Sequence, residues 1–218
     1  MHGARYGSDG EHELQDRHGS RDRAERFYSE QMCDRLDSTM IEFIARMDMA
    51  FIATSDKHGE CDTTFRAGTP GFVHVVDAHT IAYPEFRGNG VMASMGNILE
   101  NPHIGILFID FVRDLIGLHV NGSARVVEDA ALRARVADLP RHSGGRTVGL
   151  WVVVGVEEAY IHCRKHIPHL VPAAREQRDW GTDSTRAKGG DYFGIKAQRQ
   201  GGGAELVPAL PGATLGRA

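Results

Sequence analysis

The sequence is poor in cysteine, in long apolar runs and in surplus positive charge. Its three cysteines (Cys33, Cys61 and Cys163) form an odd, scattered set. That argues against a disulfide framework and for a reducing, cytoplasmic setting. The longest apolar stretches cover residues 104–109 and 150–156, far short of the ~20 residues that span a bilayer, so no membrane partner is expected. The opening MHGARYGSDGEHELQDRHGS lacks the apolar segment of a secretory signal. Lys and Arg number 25 against 29 Asp and Glu, a formal net charge of −4. No basic field is there to hold nucleic acid by counterion release. No internal repeat is visible.

What is plentiful is glycine, 26 of 218 residues, together with period-two apolar patterning between two polar ends. Residues 1–30 are charged and without periodicity, and read as a disordered tail. Residues 31–174 read as one folded domain, and residues 175–218 as an arm carrying Trp180 and Tyr192-Phe193 followed by a flexible tail. Within the domain a helix is expected over residues 37–47, with Thr39 and Glu42 as a capping box and Met40, Phe43, Ile44 and Met47 on one face. Strands are expected over 49–55, 61–66, 72–76, 80–83, 104–111, 118–127 and 148–156, the last running on towards His162. In the second of these, Cys61, Thr63 and Phe65 alternate with Asp62, Thr64 and Arg66, and Cys61 reads as a small core residue. Helices are expected over 90–100, stopped by Asn101-Pro102, and over 129–139. About seven strands in hairpins, with three short helices, predict a mainly β protein: an antiparallel, closed or nearly closed barrel.

The segment from Arg66 to Pro102 carries most of the chemistry. An arginine ends a strand, Gly68-Thr69-Pro70-Gly71 turns the chain, Ala82-Tyr83-Pro84 returns it, and Arg87-Gly88-Asn89-Gly90 opens a helix. A cation and unencumbered backbone N–H groups beside a helix N-terminus suit a phosphate. Asn89, Ser94 and Asn97 add neutral hydrogen-bonding groups. The same pattern also fits a plain tight turn beside a surface arginine. A second cluster, His162-Cys163-Arg164-Lys165-His166-Ile167-Pro168-His169, does not match zinc-finger spacing and has no second Cys/His pair. No metal is expected there; a structural turn or an anion contact from a neighbouring subunit both fit.

The order Arg66, Gly68-x-Pro70-Gly71-Phe72-Val73, Tyr83-Pro84, Gly88-Asn89-Gly90, Gly96-Asn97-Ile98, Asn101-Pro102-x-Ile104-Gly105-Ile106-Leu107-Phe108 and Val120-Asn121-Gly122-Ser123-Ala124 resembles the pyridoxamine 5′-phosphate oxidase-like family of FMN-binding split barrels. The resemblance runs over about residues 39–162. It implies a six- or seven-stranded, Greek-key-like split barrel, usually a homodimer with FMN at the subunit interface, oxidising or reducing a small molecule. It places Arg66 at the FMN phosphate or ring, Ala82 and Tyr83 beside the flavin, and Gly68, Pro70, Gly71, Phe72, Arg87, Asn89, Ser94 and Asn97 around them. The family's Ser-Arg-Lys phosphate clamp falls on Met92-Ala93-Ser94, where only Ser94 keeps a polar atom. A family glutamine near the ring falls about at Gly117, with His119 two residues on as the one candidate catalytic group. These departures argue against oxidation of pyridoxamine phosphate itself. Related branches bind F420 or haem instead of FMN, and a flavin carrier or sensor without turnover is a further alternative.

Overall fold

The structure, a computed structural model, describes residues 6–86, 88–141, 148–173 and 189–200. The chain divides into Met1–Gly181 and Thr182–Ala218.

The N-terminal stretch, expected to be disordered, contains two helices. Helix α1 (Asp9–Arg17) begins with a capping box: the Ser8 side chain accepts the Glu11 N–H, and the Glu11 carboxylate accepts the Ser8 N–H. Helix α2 (Arg21–Glu30) packs on it, with Gln15 Nε2 donating to the Tyr28 hydroxyl at 2.8 Å and that hydroxyl donating to Glu11 at 3.0 Å. His12 is buried between them. The helices are built from caps, ion pairs and one tyrosine, which leave no apolar period to read. Phe27 then meets Tyr160 edge-on, with ring centroids 5.8 Å apart.

Strand β1 (Met32–Cys33) adds to the sheet and makes eight strands, against about seven expected. Helix α3 (Ser38–Arg46) is capped by Asp37, whose carboxylate accepts the Met40 N–H at 2.8 Å; Thr39 lies inside the helix, so the expected capping box does not form. The expected stripe does face the core: Phe43, Ile44 and Met47 are buried and Met40 packs against them. There follow β2 (Met49–Ser55), β3 (Cys61–Ala67), β4 (His74–Asp77), β5 (Thr80–Phe86), α4 (Ala93–Glu100), β6 (His103–Ile109), β7 (Gly117–Glu128), α5 (Asp129–Arg133) and β8 (Val148–His162). The strands pair antiparallel in the order β3-β2-β6-β7-β8-β5-β4, with β1 on β8. This is the antiparallel arrangement the hairpin pattern predicts, and the split barrel that the resemblance implies.

The core lies inside the curled sheet, where Ile44, Ile52, Phe72, Ile81, Tyr83, Ile106, Phe108, Val120, Val152 and Val154 meet. A second cluster of Ala82, Leu132, Leu139, Trp151 and Val153 covers the other face of β5 and β8. That second burial explains why residues 151–154 are apolar without alternation. The helix expected over 129–139 stops at Arg133, yet Leu139 still reaches this cluster. Helix α4 starts at Ala93 and not at Gly90, because Met92 takes a left-handed conformation (φ 56°) at its entrance. Strand β7 steps past β8 at Gly122, where an added Cβ would fall 1.9 Å from the Gly155 carbonyl oxygen.

Strand β3 departs furthest from expectation. Cys61, Thr63 and Phe65 are exposed, and the Asp62, Thr64 and Arg66 side is half-buried. Opposite Arg66, Thr64 and Asp62 on β2 stand Ala50, Ile52 and Thr54, all buried. The polar face of β3 therefore turns inward, where partners satisfy it. In the second unit, α6 (Ile195–Arg199) is preceded by Asp191, which accepts the Lys196 and Ala197 N–H groups at 3.1 and 3.0 Å. Tyr192 and Phe193 are exposed and pack edge-on at 5.1 Å. Trp180 lies outside the described residues.

Candidate functional site

Arg66 ends β3 and faces Glu85 on β5. Its Nε and Nη2 donate to both Glu85 carboxylate oxygens at 2.9–3.1 Å, and Nη1 donates to the Thr64 hydroxyl at 2.6 Å. Both side chains are largely covered, with 21% and 16% of their surface accessible. Burial pushes the Glu85 carboxyl above its ordinary value, and the Arg66 guanidinium pulls it part of the way back. Tyr83, two residues before Glu85 on the same strand face, is 1% exposed. Its hydroxyl has no partner among the described residues. Burial drives this phenol far above its usual value, with smaller opposing influences from Arg66 and Glu85.

The other residues expected at the site come from α4 with its entry and from the turn over residues 68–72. Asn89 Oδ1 accepts the Val91 N–H at 2.9 Å and shapes the entry to α4. From the buried first turn of α4 the Ser94 hydroxyl donates to Asp62 at 3.3 Å, and Asn97 Nδ2 donates to Thr54 at 3.1 Å. These two bonds pin α4 to β3 and β2. The turn over residues 68–72 behaves differently from expectation, because three of its N–H groups are already bonded. Gly68 donates to the Asp48 carbonyl, Gly71 to Met47 and Phe72 to Thr69, at 2.9–3.0 Å. Gly71 takes φ +77°, against the Ala45 carbonyl, so the turn locks onto the end of α3. Pro70 is exposed, whereas Phe72 and Ala82 are buried, Ala82 under Trp151 on the far side of β5. Arg87 lies outside the described residues.

The structure thus brings Arg66 and Tyr83 together, and ties Ser94 and Asn97 to β3 and β2. Glu85, Asp62 and Thr64 were not singled out from sequence. Period two was the available signal: Glu85 shares a strand face with Tyr83, and Asp62 and Thr64 share one with Arg66.

His119 stands on the opposite face of the sheet, between the core residues Leu118 and Val120 of β7. Its Nε2 lies 3.0 Å from His162 Nδ1, and its ring stacks on Tyr160 with centroids 4.6 Å apart. Burial, and then the neighbouring His162, hold its pKa below the usual histidine value. Next along this face Asn121 donates to Glu158 at 3.0 Å, beside an open groove also lined by Ala53, Ser55, Cys61 and His103. Of the His162–His169 cluster, Arg164 donates to the Asp114 carbonyl at 2.9 Å and His169 lies 3.0 Å from the Val112 carbonyl. Those contacts make it a structural clasp on the loop after β6. Among the described residues no group of three or more His, Cys, Asp or Glu could hold a metal ion, and no helix is long and apolar enough to cross a membrane.

The chain is similar in structure to HupZ of Group A Streptococcus (21% identity, 58% of this chain and 94% of that one, TM-score 0.45). It is also similar to General Stress Protein 26 of Bacillus anthracis (16%, 56% and 89%, 0.38) and to an F420 reductase (15%, 58% and 98%, 0.38). No curated protein matches it. The family model for pyridoxamine 5′-phosphate oxidase matches residues 36–161, the span that holds β2 to β8 and both arms of the Arg66 cluster. The chain belongs to the pyridoxamine 5′-phosphate oxidase family.

Proposed function

We propose that this protein is an FMN-dependent oxidoreductase that acts on a small molecule in the cytoplasm, with the flavin held at a homodimer interface. One observation carries the reading: the buried, unpartnered Tyr83 hydroxyl lies on the same strand face as Glu85, whose carboxylate holds the Arg66 fork. An orphaned donor beside a fork-shaped cation fits a ligand with several acceptor oxygens, such as a phosphate monoester. Arg66 and Tyr83 hold that end, and Asn89, Ser94 and Asn97 are the further contacts we propose along the ligand, together with Arg87, which lies outside the described residues. The turn over residues 68–72, with Pro70 at its tip, fixes where β3 ends, and Phe72 and Ala82 support the strands from the core. When bound, the flavin supplies the two-electron chemistry. The chain's own residues bind it, orient it and exclude water from the buried side. His119, on the outer face of the sheet, meets a flavin only where a second copy packs against that face.

The test is a visible spectrum of the purified protein. Two flavin bands, with FMN released on heating, are the expected result. A Soret band or F420 absorption in their place overturns FMN. Anaerobic NAD(P)H bleaches the bound flavin of a reductase and leaves that of a carrier oxidised. Arg66→Ala is expected to lower FMN affinity at least tenfold, about 1.4 kcal/mol; unchanged affinity would show that the anion is held elsewhere.

A further inference from the structure

We propose that Glu85 is a built-in counter-anion that occupies the Arg66 fork in the free protein, and that the phosphate of the flavin must displace it, so Glu85 sets affinity for the phosphorylated cofactor. This rests on the FMN reading above. The planar guanidinium presents parallel N–H donors that match a carboxylate and a phosphate in the same way. Glu85 fills that fork through both oxygens. Thr64 accepts from the remaining Nη1, so Arg66 has no fork left for a second anion.

The surroundings point to exchange, and not to a permanent structural pair. Tyr83 offers a hydroxyl on the same strand face that no described group uses. A pair serving stability alone would gain nothing from an orphaned buried hydroxyl beside it. Glu85 itself disfavours a phosphate while it is ionised and in place, because its carboxylate already matches the one positive charge of the guanidinium. Withdrawing Glu85 restores a cation and a phenol on that side.

The test compares FMN with riboflavin, which lacks the phosphate, by quenching of flavin fluorescence on the full chain. Glu85→Gln keeps the shape and removes the charge. It is expected to tighten FMN roughly tenfold or more and to leave riboflavin within about twofold of wild type. It should also enlarge the rise in melting temperature that saturating FMN produces, because the freed guanidinium regains an anion only in the complex. If Glu85→Gln folds poorly, Glu85→Asp shortens the reach to the fork and is expected to move FMN in the same direction. Unchanged or weaker FMN binding in a folded Glu85 variant, with wild type binding FMN normally, overturns the counter-anion role and leaves the FMN reading standing. Wild type and variants that all fail to bind FMN overturn both. Equal tightening for FMN and riboflavin shows that Glu85 acts on the ring and not on the phosphate, which also overturns the proposal.

Discussion

His119 shows how a single ring ties stability to pH. Burial and the adjacent His162 favour its neutral form in the native state. The unfolded chain returns it to about 6.5. As pH falls below that value the unfolded state takes up a proton that the native ring refuses, so the native state loses ground. The contribution is complete above about pH 6.5 and is lost as pH falls from there to the lowered native value. Urea midpoints taken at about pH 7.5 and about pH 5.5 should show the drop. His119→Phe, which keeps a ring to stack on Tyr160, should show a smaller one. Equal losses in both proteins would mean that other groups drive the transition.

Two elements carry predictions that separate backbone fit from side-chain chemistry. At Gly122 the step between β7 and β8 brings the Gly155 carbonyl to 1.9 Å from any added Cβ. Both are backbone positions, so nothing flexible can yield. Gly122→Ala should cost on the order of 3 kcal/mol or more in chemical denaturation. A loss under about 1 kcal/mol would show that the two strands can part there. At the start of α3 the cap is Asp37 and not Thr39. Asp37→Ala should cost about 1 kcal/mol, whereas Thr39→Ala should be neutral or slightly stabilising because alanine is the better helix former; the reverse order would return the cap to Thr39.

Over the whole molecule, the outer face of the sheet is the surface left to explain. Across it run Phe65, Phe51, Leu107, His119 and Tyr160, opposite one another on β3, β2, β6, β7 and β8. Phe65 is 48% exposed, with its ring 5.5 Å from that of Phe51. A curled sheet with a core on one side and such a row on the other is suited to the proposed homodimer. Wild type should elute in size-exclusion chromatography at the mass of two chains, and Phe65→Asp should move it towards one. A wild-type monomer at micromolar concentration would remove the interface from the functional model.

Much of the fold was legible from residue order. Apolar patterning placed β2, β3, β6 and β7 within two residues of their ends, hairpin spacing made the sheet antiparallel, and Asn101-Pro102 stopped α4 where the structure stops it. Motif order alone led to the family. What alternation cannot tell is which of two faces turns inward. On β3 the apolar face lost to the polar one, because Asp62 and Arg66 found Ser94 and Glu85 inside while Phe65 found only Phe51 outside. Nor does composition reveal a helix held by a capping box, as α1 is, or one held to it through a tyrosine, as α2 is. By itself the sequence determined the strands, their antiparallel pairing and the segment that bears the candidate cofactor contacts, since these depend on neighbours along the chain. Only tertiary structure decided that Arg66 is matched by Glu85, that the N–H groups of Gly68, Gly71 and Phe72 are already bonded, and that His119 stands across the sheet from them. Each of those outcomes depends on groups that folding brings together from distant strands.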